Sequence, residues 1–411
     1  MRVTSSTYYK QYAKTVQDLH SELNKSMQQV SSGKKFDSAK EDPLSYYGGM
    51  KIDSEYTDAD TKNTVISDVN NRLYQQESGA TAIQTEMRTL NTDILRLANE
   101  STSGSTAAVD TMNRDMKQRL QTITEDLNAS YENFYVFGGN DMSTIPFSLD
   151  VDNEENPTKF TLNFDHHFPG ETDTTTRMSI SYELQDNGDL KLTFSGKRTD
   201  DTKINDTGTT LSPKETLDYI KKAMSEEGRM SLGYGNLTNR TTLPDTYTGG
   251  LNVLTGISSA GLKSMSDSDA KTLIQDRLEK TPIALTSQAV LATSRFLKAA
   301  GGVTGDSISA AGEAERTNMS STLKKVIGEW DSSEQRVATS YRELGIKQSV
   351  LKDTQSKLDL IKDTLQSNYD DRMGIDPYEA ITKMYSQQYA YNAAIKVGSN
   401  IMQSSLFDYV K

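Results

Sequence analysis

Residues 69–97 read VNNRLYQQESGATAIQTEMRTLNTDILRL, and Val69, Leu73, Gln76, Ala80, Ile83, Met87, Leu90, Ile94 and Leu97 fall at alternating steps of three and four. That spacing returns to one side of a helix every second turn, so the stretch predicts a long amphipathic helix with a single buried stripe. After a Ser/Thr/Gly break at 101–106, Val109, Met112, Met116, Leu120, Ile123 and Leu127 resume an apolar face. Two helices joined in this way fold back as a hairpin.

Working outward, both ends of the chain carry the same spacing. Tyr9, Tyr12, Val16, Leu19, Leu23, Ser26 and Val30 follow it near the start. Tyr378, Ile381, Tyr385, Gln388, Asn392, Ile395, Ser399, Met402, Leu406 and Tyr409 follow it near the end. The first helix should stop at Ser31-Ser32-Gly33, with Gly33 in the left-handed conformation and Lys34-Lys35 beyond its carbonyl end. A linker to about residue 60 is expected next. Asp42-Pro43 reads there as a cap with proline at the first helical position, while Gly48-Gly49 disfavours a sustained helix. Near the other end Leu351, Thr354, Leu358, Ile361, Leu365 and Asn368 form a seam. Gly374 is expected to end that helix in a left-handed conformation, and Asp376-Pro377-Tyr378-Glu379 to start the next with a capping box.

The middle differs. Phe160–Phe164, Met178–Tyr182 and Leu190–Phe194 alternate with period two, and Asp186-Asn187-Gly188-Asp189 separates the last two as a turn. Ser212-Pro213-Lys214-Glu215 is a capped helix start. The fold class is therefore mainly α, a long helical bundle formed by both chain ends, with an inserted α+β domain built on an antiparallel sheet. Three parts are expected: 1–45 with 375–411 as a terminal coiled-coil pair, 46–140 with 286–374 as a helical bundle core, and 141–285 as the insert. Residues 229–265 are too rich in Gly, Thr and Ser to assign.

Composition fits thin bundles better than thick cores. Apolar residues are 34% of 411 and the mean hydropathy is −0.65. The net charge of −12 argues against nucleic acid or an anionic membrane surface as a partner. No run of 18 apolar residues is present to span a membrane, and the start lacks the apolar run of a secretory signal. There is no cysteine, and the histidines are His20, His166 and His167, which cannot form a His-Glu-x-x-His motif. His166 and His167 on one strand would point to opposite faces and not to one ion. Asp150, Asp152 and Glu154 lack the glycine and the final glutamate of a calcium loop. No nucleotide-binding or nucleophile motif occurs, so no catalytic residue, cofactor or metal is assigned. An enzyme or metal-binding domain on 141–285 is the alternative from another class.

The polar residues in the terminal seams, Ser26, Gln388, Asn392 and Ser399, leave a helix pair with few large side chains to bury. Such a pair is marginal by itself, and polar seam positions instead fix register and partner choice in a larger assembly. Tyrosine, 20 in number, clusters in these helices, where a ring can bury while its hydroxyl stays bonded. The expected subunit interface is Tyr9, Tyr12, Val16, Leu19, Leu23, Tyr378, Ile381, Tyr385, Ile395, Met402, Leu406 and Tyr409.

The segment Ser31-Ser32-Gly33-Lys34-Lys35-Phe36-Asp37-Ser38-Ala39-Lys40-Glu41-Asp42-Pro43 resembles the one that follows the first helix in bacterial flagellins and their relatives, with Ser32, Gly33, Lys34, Asp42 and Pro43 as its marking residues. The resemblance covers roughly 1–140 and 286–411. Three strings resemble the hook–filament junction members more than filament flagellins: Met1-Arg2-Val3-Thr4, Phe134-Tyr135-Val136-Phe137-Gly138-Gly139 with Pro146-Phe147, and Ser405-Leu406-Phe407-Asp408-Tyr409-Val410. The resemblance implies a non-enzymatic flagellar subunit in an adaptor ring joining hook to filament, placed outside the cell after unfolded type III export. It also implies as partners further copies of the chain, the first hook-associated junction protein, flagellin, and an export chaperone on the C-terminal helix. Filament flagellin is the alternative within the family.

Overall fold

In this computed structural model the described residues are 5–99, 103–171, 174–203, 208–226, 228–231, 242–301 and 308–408. They divide into two compact units, residues 1–64 with 355–411, and residues 65–354.

The first unit contains α1 (Ser5–Ser32), the start of α2 (Pro43–Leu97), the end of α9 (Ala310–Met373) and α10 (Pro377–Asp408). Gly33 ends α1 with φ +67, as its position after two serines predicts. The Asp42 carboxylate accepts from the amides of Leu44 and Ser45 at 3.1 and 3.0 Å, so α2 is capped where the sequence places the cap. The linker is shorter than expected, because α2 runs unbroken from Pro43 through the glycine pair. A side chain at Gly48 would collide with Arg372, and one at Gly49 with Met373. These glycines permit close helix packing, which outweighs about 1 kcal/mol of lost helix propensity at each. Gly374 also differs from expectation: it is not left-handed, and it forms an antiparallel bridge with Lys34 instead.

In the second unit, α2 continues and packs against α3 (Thr106–Asp126). All nine stripe residues from Val69 to Leu97 are fully buried. Gln76, the polar member, donates to the carbonyls of Val136 and Thr248 at 2.8 and 2.5 Å, which is how a seam amide is tolerated. Two short strands, β1 (Ser130–Tyr131) and β2 (Phe134–Tyr135), form a hairpin turned by Glu132 and Asn133 at positive φ.

The sheet is a five-stranded antiparallel meander of β3 (Phe147–Val151), β4 (Lys159–His167), β5 (Thr174–Leu184), β6 (Leu190–Asp200) and β7 (Thr209–Leu211). Phe160 faces Tyr182, Leu162 faces Ile180 and Phe164 faces Met178, so the period-two residues make one buried face. The turn at Gly188, φ +80, joins β5 to β6 as the sequence predicts. On this face packs α4 (Pro213–Ser225), whose Ser212 and Glu215 form the expected capping box. A second hairpin, β8 (Gly228–Ser231) with β9 (Thr242–Tyr247), leads into the short helices α5 (Gly250–Thr255) and α6 (Ser259–Lys263), then α7 (Asp267–Glu279) and α8 (Pro282–Ala300). Thr281 caps α8, Pro282 opens it and Gly301 at φ +69 closes it. Residues on all sides of α8 are buried, the mark of a central helix. One apolar cluster runs from Ile83 and Met87 of α2 through α8 and the sheet to Trp330 and Val337 of α9.

A charged seam between α2 and α3 gives a pH dependence. Arg119 bridges Glu86 at 2.7 Å and Asp115 at 2.8 Å, with Asp93 at 3.9 Å. Asp126 is pushed up to about 6 by burial and by the charges of Glu86 and Glu125. An unfolded aspartate ionises near 3.9, so the folded state favours the proton, and this group's contribution to stability falls between about pH 4 and 6 and stays low above. Asp126→Asn should therefore raise stability at pH 7 by about 1 kcal/mol, discounted because the group is half in water, and change little at pH 4. Thermal unfolding of both proteins across that range measures it.

A candidate assembly surface on the terminal helices

The α1–α10 pair is antiparallel. The Tyr12 hydroxyl donates to the Ala394 carbonyl at 2.8 Å, the His20 and Tyr391 rings lie 5.4 Å apart, and the Ser26 hydroxyl donates to Gln387. On α1 the inward residues are Tyr12, Val16, Leu19, Leu23, Ser26 and Val30, the stripe read from sequence, joined by Gln29, while Tyr9 remains exposed. On α10 the inward residues are Ala380, Met384, Gln387, Tyr391, Ala394 and Gly398, a neighbouring stripe to the expected one. A side chain at Gly398 would meet the Tyr12 ring, so glycine is what lets the helices approach there.

The apolar stripe expected on α10 faces away from α1. Tyr378 is 83% exposed, Tyr385 60% and Ile381 41%, and Ile395, Gln388 and Asn392 are also exposed. Met402 and Leu406 lie in α10 with side chains outside the described residues, and Tyr409 is outside them altogether. The expected interface therefore divides: its α1 members from Tyr12 to Leu23 pack against α10, and its described α10 members are open to solvent. Within the pair, the fully buried positions are Ser26, Gln29, Ala380 and Gly398, none of them a large apolar residue. The large apolar side chains between the two helices are only partly buried, so the pair lacks the closed apolar core of the larger unit.

Sequence reasoning missed part of this surface. Leu44, Tyr47 and Met50, at steps of three along α2, are exposed, as are Leu360 and Ile361 of α9. For the α2 residues the signal is present as spacing but falls within the expected linker, whereas Ile361 already stands in the seam read from Leu351 to Asn368. Fourteen of the twenty-one large apolar side chains exposed among the described residues belong to the smaller unit. A concentration of that kind marks an interaction surface rather than scattered solvent-facing residues.

The marking residues of the linker organise the two helix breaks. The Lys35 amide donates to the Met373 carbonyl at 2.7 Å, and the Ile375 amide to the Gly33 carbonyl at 3.0 Å. The Gln29 side chain donates to the Lys35 carbonyl at 2.8 Å. Ser32 accepts from the Lys34 amide at 3.3 Å, and the Lys34 ammonium lies 5.8 Å from the Tyr369 ring centre, whose hydroxyl raises the lysine's affinity for its proton. The break after α1 is thus bonded to the break between α9 and α10. Asp376 accepts from the amides of Tyr378 and Glu379 at 2.8 and 3.4 Å, so α10 is capped at the expected residue. Asp376→Ala should cost about 1 kcal/mol at this cap. Faster hydrogen exchange at the Tyr378 amide, with the melting of the larger unit unchanged, is the expected reading.

Asp152 accepts from the amides of Asn153, Thr158 and Lys159, and the Lys117 ammonium donates to the carbonyls of Glu154 and Glu155 at 3.0 and 3.3 Å. These bonds make the acidic loop a closed turn with its own cation. His166 and His167 point to opposite faces as predicted: His166 is 1% exposed and bonds Glu226 at 3.0 Å, while His167 meets Asp141 and Asp201. Among the described residues no three His, Asp or Glu side chains converge as a metal ion requires. No helix of the described residues is long and apolar enough to cross a membrane.

Comparisons with known proteins bear on the N-terminal part. No curated sequence matches the chain. Among solved structures, it is similar to a flagellar hook-associated protein of Vibrio parahaemolyticus, with 10% identity and a TM-score of 0.38 over 80% of this chain and 100% of that one. It is similar to Bacillus cereus FlgL at 11% identity, with a TM-score of 0.38 over 78% and 99%. Flagellar hook-associated protein 3 of Legionella pneumophila gives 10% identity and a TM-score of 0.40 over 78% and 98%. Residues 3–141, from α1 through the β1–β2 hairpin, match the family profile described as the bacterial flagellin N-terminal helical region. This part of the chain therefore carries the flagellin N-terminal helical pattern that its Ser-Gly-Lys to Asp-Pro segment first suggested.

Proposed function

We propose that this protein is a structural subunit of the bacterial flagellum, acting without catalysis as an adaptor between hook and filament. The observation that carries the reading is the unit built from 1–64 and 355–411, whose terminal helices leave their large apolar side chains only partly buried and which carries most of the large apolar side chains exposed among the described residues. Such helices gain stability when further copies cover them. In the three-part arrangement, 1–45 with 375–411 forms the tube, 46–140 with 286–374 the surrounding shell, and 141–285 the outward domain. The junction role, as opposed to the filament itself, is favoured by the strings at 134–139 and 405–410.

The subunit reaches its place outside the cell through the flagellar type III channel, unfolded, with a chaperone on the C-terminal helix beforehand. Absence of cysteine is compatible with that route. Its neighbours in the assembly are its own copies, the first hook-associated junction protein on one side and flagellin on the other. Deleting the gene tests the reading: flagellin should escape into the medium from cells that keep intact hooks. Filaments of normal length in that strain would contradict an adaptor.

A further inference from the structure

His167 closes β4 at a meeting of four segments. Its Nδ1 lies 3.1 Å from Asp141 Oδ2 and 2.5 Å from Thr144 Oγ1, both in the segment that follows the β1–β2 hairpin. Its Nε2 lies 3.2 Å from Asp201 Oδ2, in the turn after β6, and 3.0 Å from Thr175 Oγ1 in β5. The Thr175 hydroxyl donates to the same Asp201 oxygen at 2.7 Å. The charged groups facing the ring are thus Asp141 and Asp201, one at each nitrogen, and β5 contributes only a hydroxyl.

This arrangement suits one protonation state. A neutral imidazole has one N–H and one bare lone pair, so it can donate to only one of the two carboxylates, and its other nitrogen can take at most the hydroxyl hydrogen of Thr144 or Thr175. An imidazolium has a donor for each. We propose that His167 is a proton-operated latch: as the imidazolium it ties the turn after β6 and the 141–144 segment to the end of β4, and on losing its proton it releases the turn.

The direction of release follows from the two carboxylates. Asp141 is buried, and its Oδ2 also accepts from the His167 amide at 2.8 Å, while its Oδ1 accepts from the Ser143 amide and hydroxyl at 3.0 and 2.7 Å. Burial alone would raise its pKa, but the bonds from Ser143, His167 and Thr144 hold it down to about 2. It stays ionised and bonded whatever the ring does. Asp201 is far more exposed and can turn to water. For the ring itself, burial opposes the charge, and the bonds and charges of Asp201 and Asp141 outweigh it and raise the pKa. A histidine raised in the folded state stabilises fully below its unfolded pKa, and that stabilisation is lost as pH rises through the folded value.

Three histidines make the test direct in the full chain. The ring proton resonances of His20, His166 and His167 are followed by NMR from pH 5 to 9, in the unaltered protein and in Asp201→Asn. Amide exchange of residues 200–203, corrected for the intrinsic effect of pH, is measured in the unaltered protein and in His167→Gln. The latch predicts a His167 midpoint above the ordinary imidazole value and a lower one in Asp201→Asn. It also predicts protection at 200–203 that falls as pH rises through that midpoint, and loss of this pH dependence in His167→Gln. A His167 midpoint at or below the ordinary value would overturn it, as would the same pH dependence of protection in His167→Gln. Should His167→Gln fail to fold, the two titrations decide alone.

Discussion

A chain carrying Ile381→Asp and Tyr385→Asp should melt as the unaltered protein does and disappear from sheared flagella. Both positions lie on the face of α10 that turns away from α1. In the separate chain each new carboxylate is solvated, and the substitutions should change stability by no more than about 0.5 kcal/mol each. In an assembly the same carboxylates would be enclosed against a neighbouring copy without a partner, at a cost of several kcal/mol each. Repeated around a ring, that cost excludes incorporation, so motility should be lost outright. Tyr391→Asp is the informative contrast. Its ring packs toward His20 of α1, so this substitution should loosen the helix pair in the free chain as well. Melting of the purified variants beside an immunoblot of sheared flagella separates the two faces.

Phe137→Ala should have the largest effect on folding of the larger unit, about 3–5 kcal/mol. The Phe137 ring is fully buried against Gly79 of α2, where even a β-carbon would collide with it. Its carbonyl accepts from the Gly250 amide at 2.8 Å, joining the hairpin to the start of α5. Removing the ring leaves a cavity at the point where bundle and insert share a core, and the surrounding backbone is fixed by bonds that resist collapse into it. With a unit of this size, the melting temperature should fall by about 10 °C. Calorimetry of the variant gives the number directly.

The stripe of α2 from Val69 to Leu97 was legible because its apolar residues and its covering neighbours belong to the same chain. The stripe of α10 is legible as apolar, and its described members Tyr378, Ile381, Tyr385 and Ile395, expected at a subunit interface, are not used to pack against α1. Periodicity tells which side of a helix avoids water and nothing about what covers it, and here small residues such as Ala380, Ala394 and Gly398 face α1. The helix through Gly48-Gly49 was missed because propensity penalises glycine, while the gain came from Arg372 and Met373, more than three hundred residues away. Gly374 misled in the opposite way, since a bridge to Lys34 replaced the left-handed terminator that local reasoning expects. Alternation placed His166 and His167 on opposite faces. The approach of Asp141 and Asp201 to His167 depends on strand register over 26 and 34 residues, which no local pattern encodes.

The position of the protein along the flagellum is the most direct measurement of the central claim. A small epitope inserted at the exposed Asn153–Glu155 turn, labelled with gold and viewed by electron microscopy, reports where the subunit sits without disturbing either terminal helix. A junction subunit should give a narrow band of label where the hook meets the filament and none beyond it. Label spread along the whole filament would make the protein a filament subunit, and flagella without label at any point would contradict the flagellar assignment itself.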